Sequence, residues 1–455
     1  MEGDAAVALA VNSVFIFVAA VLVLFMQAGF AMLEVGFSRM KNAGAVMAKI
    51  FLNLSIAAVV FWAFGYGLIY GGDTTDFGAF FGGGGFFIDF SNTDEFAADF
   101  YGGEALSLLP GVDWFFQLAF CAVSLAIVFG TMLDRMKLAG YAIFAVIFVA
   151  LIYPTVARWT WGGGWLAEDG FLDFAGSSIV HLAGATAGLA GTLLIGPRIG
   201  KFKDGKAVPI PGHSMPLALL GIIILWVGWM GFNGGSTLGA IDTDFGLVAA
   251  NTNLAAGAGV LGAALMSLWV MKTLDVSQIG NGAIGGLVAI TAPCAFVEPG
   301  AAVVIGLIGG GLVPPIVLLL DRVKIDDPLG AIPAHGVAGI WGTLAIGLFA
   351  TGKLVPEGSA EGLLVGGDAE QLWVQTYGVL LTFAVVFVAA LIVFGAIKYT
   401  IGLRVSEVEE LRGLDITQHG MFGYPERFIE VPGAEPNGTA ETQFTPVSSP
   451  SSSNT

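Results

Sequence analysis

Four histidines occur in 455 residues, and two of them lie in apolar stretches with the same carboxylate spacing. Asp173 precedes His181 by eight residues in DFAGSSIVH, and Asp327 precedes His335 by eight in DPLGAIPAH. A neutral imidazole offers one hydrogen-bond donor and one acceptor, whereas a charged one in an apolar medium is costly to desolvate. Two neutral imidazoles held together suit the passage of small polar molecules in file, or the relay of a proton. The candidates are ammonia, water and protons, not large solutes. Taken alone, each histidine reads equally well as a core residue bonded to a carbonyl; the repeated Asp spacing argues against that. No further His, Cys or acidic residue is placed to complete a zinc or haem site, so no metal or cofactor is expected. Asp173 and His181, read as sharing one helix two turns apart, stand too far apart for a Ser-His-Asp hydrolase. A conventional enzyme is not expected.

A second constellation lies nearer one end of the same segments. Trp161 stands in WTWGGGW, Ser236 in GFNGGS with Phe232 one turn below it, and Phe120 in FFQLAF. An aromatic face beside a hydroxyl acceptor can dock a small cation, each cation–π contact contributing roughly 0.5–2 kcal/mol. Two phenylalanines beneath would form a hydrophobic constriction that hinders hydrated ions. Any one of these aromatics, among 35 Phe and 10 Trp, reads more simply as lipid-facing or core packing.

The elements that must position these residues follow from composition. Hydrophobic residues make up 56% of the chain and charged residues only 12%, about half the ~25% usual in soluble domains. Mean hydropathy is +0.83. That excludes disordered, fibrous and ordinary cytosolic classes and predicts an all-α integral membrane protein. About 20 apolar residues cross a ~30 Å hydrocarbon core, and eleven segments qualify: roughly 7–33, 43–70, 112–133, 138–158, 174–197, 214–237, 245–271, 279–296, 300–320, 332–351 and 372–399. An N-out, C-in orientation puts every Lys and Arg on the inner side except Arg158 and Lys353, as the positive-inside rule requires. The outer connection 72–110 is acidic, with Asp73, Asp76, Asp89, Asp94, Glu95, Asp99 and Glu104 and no basic residue.

If each Asp marks a membrane boundary, eight residues at 1.5 Å rise place each histidine about 12 Å deep, from opposite faces. Both then reach the midplane on antiparallel helices, as two inverted halves would have them. Five helices per half plus one extra accounts for eleven. The organisation is a membrane domain over 1–401, a cytoplasmic segment over 402–431 able to fold on the inner loops, and a Pro/Gly/Ser/Thr-rich tail over 432–455 expected to be disordered. MEGDAA lacks the basic start of a signal peptide, so the first apolar run is expected to stay in the membrane. Cys121 and Cys294 sit in apolar stretches, which argues against a disulfide scaffold. A net charge of −17 argues against nucleic acid as a partner.

These residues resemble the ammonium transporter family (Amt/Mep/Rh), on its Amt side, over about residues 10–424. MQAGFAMLEVGFSRMKNA, FFQLAF, WGGGWLAEDGFLDFAGSSIVH, GWMGFNGGS, DDPLGAIPAHGVAGIWG and GLRV…GLD…HG carry the resemblance. It implies an eleven-helix fold of two inverted five-helix halves, one pore per subunit, a homotrimer, and a place in the plasma membrane. It implies that Trp161 and Ser236 form an outer ammonium-recruitment site, with Phe120 as its wall and upper gate and Phe232 as the second gate ring. His181 and His335 would line the pore, and Asp173 would support the recruitment site, a role compatible with helix capping. Gly413, Leu414, Asp415, His419 and Gly420 resemble a regulatory tail that helps dock a PII-type (GlnK-like) signal protein.

The implied activity is capture of ammonium, its deprotonation, conduction of ammonia past the histidines and reprotonation inside, with or without separate proton transfer. The alternative is an ammonium sensor, or transceptor, that signals through its tail with little flux; no signalling domain follows residue 431, which favours transport. A neutral-gas or water channel fits the cation-recruiting mouth less well. Several positions depart from common members. Leu33 and Glu34 replace an aromatic pair, and Glu34 is read with Asn42 and Lys49 as a structural polar network. Gly330 stands where some relatives carry Asp, Met421 where Glu is common, and Glu298 is unusual. His213 and His419 lie outside the membrane segments as ordinary polar residues.

Overall fold

The computed structural model describes residues 2–72, 78–356 and 359–425. Asp73, Asp76, Arg427 and the tail expected to be disordered lie outside the described residues. Eleven apolar helices follow in order: α1 (Glu2–Phe37), α2 (Met40–Tyr70), α3 (Pro110–Gly130), α4 (Leu138–Glu168), α5 (Ser177–Ile195), α6 (Met215–Gly235), α7 (Phe245–Met271), α8 (Val276–Thr291), α9 (Pro299–Arg322), α10 (Ile332–Phe349) and α11 (Glu370–Thr400). All but α8, which has 16 residues, are long and apolar enough to cross a membrane. Strand among the described residues is confined to the hairpin pairing Phe202 with Ala207.

Burial sorts the helices. α3 and α5 are enclosed on nearly every side, whereas α1 and α11 show most of their surface. The outward faces are apolar: Phe17 and Phe25 on α1, Phe51 on α2, Leu261 and Trp269 on α7, Leu380 and Ile392 on α11. In water such faces would be a liability; in lipid they are the favoured exterior, with every backbone bond kept inside its helix. The protein is a multi-pass membrane protein.

With no hydrophobic drive between helices in lipid, close packing relies on small residues. α1 crosses α6 at Gly221, where an added Cβ would strike the backbone of Leu33, and α7 crosses α9 where one on Gly310 would strike Gly259. Four helices carry single π-helical turns, at Phe61–Gly65, Phe148–Ile152, Ser177–Leu182 and Ile332–Val337. Such turns are rare and gather at functional sites. The last two open α5 and α10, and each contains one of the two buried histidines.

At one end of the bundle ions and hydrogen bonds add to the apolar contact of Ala45, Val405 and Leu414. Beyond α11, α12 (Glu407–Arg412) and α13 (Leu414–His419) pack on the α1–α2 turn. Ser406 opens α12 with a reciprocal capping box to Glu409. Asp415 accepts from the Ala45 amide at 2.8 Å, and Asn42 accepts from the Leu414 amide at 2.8 Å. Next to this contact, Asp134 receives Arg39 Nε at 2.9 Å, Asp326 receives Arg198 Nε at 2.9 Å, and Glu410 receives Arg404 at 2.8 Å. Burial alone would push the Asp326 carboxyl up, but the hydrogen bonds and charge of Arg198, with the charge of Arg135, hold it down at about 2.

Of the expected network of Glu34, Asn42 and Lys49, Lys49 faces Glu34 by charge, but no hydrogen bond reaches the Glu34 carboxyl. Asn42 donates to Asp134 and Lys49 to the Met136 carbonyl at 3.1 Å. The turn after α3 supplies better acceptors to both donors, a pairing across some 90 residues that no local spacing reveals.

Candidate functional site

α5 does not begin at Asp173, as the depth argument assumed. Asp173 sits in a loop, Gly176 takes a φ of +114°, and the helix starts at Ser177. The reason is electrostatic. The four free amides of a helix start need acceptors, and the Asp173 carboxylate takes all four: Gly176 and Ser177 on one oxygen at 2.9 and 2.8 Å, Ser178 and Ile179 on the other at 2.8 and 2.9 Å. Asp327 repeats the device on α10, accepting from Gly330 at 3.1 Å and Ile332 at 2.7 Å, with Gly330 at a φ of +73°. Each histidine therefore lies in the first turns of its helix, not two turns below an aspartate on the same helix. A Cβ on Gly330 would come 2.8 Å from Asn281 Nδ2, so the Asp found there in some relatives would have to displace the end of that side chain and take up a left-handed backbone.

The two imidazoles meet edge to edge. His181 Nδ1 and His335 Nδ1 are 3.2 Å apart, and the rings are inclined by only 19°. Both are buried among apolar side chains. One Nδ1 must donate and the other accept, so the two rings are opposite tautomers. Their outer nitrogens then present one acceptor and one donor. A small molecule with both a lone pair and an N–H or O–H matches that pair.

Trp229, which sequence reasoning passed over, holds His181 in place. Its ring stacks on the imidazole at 5.1 Å and 19°, and its Nε1 donates to Thr291 Oγ1 at 2.9 Å. GWMGFNGGS contains Trp229 beside Phe232, and helical spacing puts both on one face of α6; only the spatial meeting with α5 gives Trp229 its role.

Above the histidines stand two phenylalanines. Phe232 stacks on His181 at 5.5 Å, and Phe120 lies against Phe232 with centroids 4.0 Å apart. Both rings are buried and close the way to a pocket of about 120 Å³. That pocket is lined by Trp161, Ser236, Phe120, Gln117, Phe174 and Tyr70, among others. Trp161 meets Phe120 edge to face at 5.8 Å, and its indole N–H donates to the Asp173 carbonyl at 2.8 Å. One aspartate thus caps α5 with its side chain and fixes the tryptophan with its backbone. Ser236 donates to the Phe232 carbonyl at 2.8 Å, which leaves its oxygen lone pairs as acceptors. Gln117, Phe174 and Tyr70 were not singled out from the sequence, since nothing in their spacing marks them.

Trp161, Ser236, Phe120, Phe232, His181, His335 and Asp173 therefore come together in one file. Gly413, Asp415 and His419 do not join it. They lie at the opposite face, where α1 ends and α2 begins, with Gly413 at a φ of +107° against Lys41. His213 bonds the Ser38 carbonyl and Tyr424, while Glu298 is exposed before Pro299. Among the described residues no group of three or more His, Cys, Asp or Glu is arranged to hold a metal ion.

The profile of the Ammonium Transporter Family matches residues 14–424 of the chain. The ammonium transporter Amt2 of Archaeoglobus fulgidus is 40% identical over 431 residues, covering 92% of this chain and 89% of that protein. A solved structure described as a sensor Amt protein superposes with a TM-score of 0.83 at 34% identity, over 92% of this chain and 100% of the other. Mep2 of Candida albicans superposes with a TM-score of 0.78 at 30% identity, covering 90% of each chain.

Proposed function

From the premise that this chain belongs to the ammonium transporter family, we propose that it carries ammonium across the membrane by stripping it to ammonia and passing it between two histidines. The observation that supports this most directly is the order of groups along one line: an aromatic and hydroxyl pocket, two apposed phenylalanines, then the paired imidazoles. Ammonium docks against Trp161 with an N–H donated to Ser236. It gives a proton to outer water at or before the Phe120 and Phe232 rings, because a bare cation between them would have neither water nor a counter-ion. Ammonia then donates to one imidazole nitrogen and accepts from the other. K⁺ has the charge of ammonium but no proton to shed, and it is rejected at the rings. Asp173 acts as a positioning residue through Trp161 and the start of α5.

The pocket belongs to the outside and the tail to the inside. The tail packs on the α1–α2 turn, so an odd number of crossings precedes it, which counts α8 as a crossing and gives eleven. The basic residues gather at the same face. The resemblance assigns a homotrimer, a plasma-membrane location and a PII-type partner at the tail. In that arrangement α12 and α13, gripping the inner loops, carry the regulatory contact through Gly413, Asp415 and His419. Residues 1–401 form the transport domain and 402–431 the regulatory segment.

The test is an ammonium-driven current in proteoliposomes, with His181→Ala and with K⁺ as comparisons. A saturable response to ammonium and none to K⁺ is expected, and a current would mean that the proton crosses as well. Lumenal alkalinisation without current would make the conducted species ammonia alone. Silence in both measurements from well-folded protein would overturn transport in favour of a sensor.

A further inference from the structure

We propose that Glu34 is the acid that returns a proton to ammonia at the inner end of the path, an inference that rests on the transport reading above. Glu34 lies on α1 one turn before its end, fully buried, and neither carboxyl oxygen has a hydrogen-bond partner. Lys49, the cation that faces it, gives its hydrogen bond elsewhere: it donates to the Met136 carbonyl and sits 4.3 Å from the centre of the Phe129 ring. Glu34 and His335 line one cavity of about 10 Å³, together with Ile127, Gly130, Asn281 and Leu329 among others. That volume holds about one water-sized molecule, which is also the size of ammonia. The wall beside the carboxyl is apolar: a Cβ on Gly130 would stand 3.6 Å from Glu34 Oε1 and 3.0 Å from Leu329 Cδ2. Ammonia leaving His335 therefore meets Glu34 next.

A carboxyl at this depth with no partner either holds a proton or stands against a cation, since an isolated buried anion is costly. Ammonia converts the first state into the second. The Glu34 O–H bond breaks, its proton bonds to the nitrogen lone pair, and a carboxylate is left beside ammonium in a charge-assisted pair. Ammonium departs to the inner water. The carboxylate then takes a proton from hydronium of that compartment, which becomes water. Ammonia and hydronium are consumed, ammonium and water are formed, and Glu34 is restored. The titratable groups that face it are Lys49 from α2, Tyr141 from α4 and His335 from α10. α6, which packs along α1, carries none.

The experiment compares full-length wild type with Glu34→Gln in proteoliposomes, reading ammonium transport while the inner pH is varied. Glu34→Gln should leave the half-saturating outer ammonium concentration unchanged and lower maximal flux at least about tenfold, as expected for loss of a general acid. It should also flatten the dependence on inner pH, and Glu34→Asp should restore part of both. Infrared difference spectra on adding ammonium should show wild type losing a protonated-carboxyl band that Glu34→Gln lacks. Wild-type flux and pH profile in Glu34→Gln, or no such band in wild type, overturns the proposal. Should Glu34→Gln fail to fold, the wild-type spectrum and Glu34→Asp decide. An absence of ammonium flux in folded wild type would instead overturn the transport reading and this inference with it.

Discussion

Single residues here do more than one task, and their substitutions separate the tasks. Trp161 faces the pocket with its ring and spends its N–H on the Asp173 carbonyl. Trp161→Leu should therefore raise the half-saturating ammonium concentration by about 2- to 30-fold, the equivalent of one cation–π contact of roughly 0.5–2 kcal/mol. Asp173→Asn replaces one of two accepting oxygens by an NH₂ group aimed at backbone amides. The cost should be about 1–3 kcal/mol, seen as a lower midpoint of thermal unfolding in detergent, while the backbone carbonyl that holds Trp161 is kept, so the half-saturating ammonium concentration should change less than in Trp161→Leu. The histidine pair was legible in the sequence from its mirrored aspartates, and so were Trp161, Ser236 and the phenylalanines through motif resemblance. Trp229 was not, because a stack between α5 and α6 leaves no mark in either segment alone. Glu34 was noticed and read with Lys49, which does face it, but the hydrogen bonds of Asn42 and Lys49 go to acceptors on the turn after α3.

Among the elements, α5 and α10 show how the sequence can be right in outcome and wrong in path. The eight-residue Asp-to-His spacing was read as helix rise, yet half of it is loop, with glycines in left-handed backbone and carboxylates collecting amides. Helix boundaries of this kind are set by capping geometry, which composition does not report. The tail segment is another element held by specific contacts. Gly413 has a φ that L-residues rarely adopt, and any Cβ there would press on Lys41. Gly413→Ala should release α12 and α13 from the α1–α2 turn. Limited proteolysis should then cut the tail faster than in wild type, while the midpoint of thermal unfolding of the bundle changes little.

For the whole molecule, apolar faces turned to lipid and glycine-lined crossings hold the bundle, and composition announced both. The buried ion cluster at the face that carries the tail was invisible from sequence because its partners come from four separate connections and from the segment after α11. Its pH response follows from Asp326. Held at about 2 in the fold against an ordinary value near 3.9, this carboxyl adds stability that is fully present above the ordinary value. That stability is lost as pH falls through about 2. Thermal unfolding followed from pH 5 to 2 should show a steeper acid loss in wild type than in Asp326→Asn. At neutral pH, Asp326→Ala should cost about 3–5 kcal/mol, because it leaves Arg198 a buried cation without its main partner.

The contact between Phe120 and Phe232, 4.0 Å from centre to centre, also bears on what the protein does when idle. A membrane stores work in its ion gradients, and a standing hole dissipates that work whether or not nutrient is present. On the proposed path the two rings plug the way at rest, so each crossing would require them to part and then meet again. Passage would come in single events rather than as a stream, and a membrane holding many copies would keep its gradients.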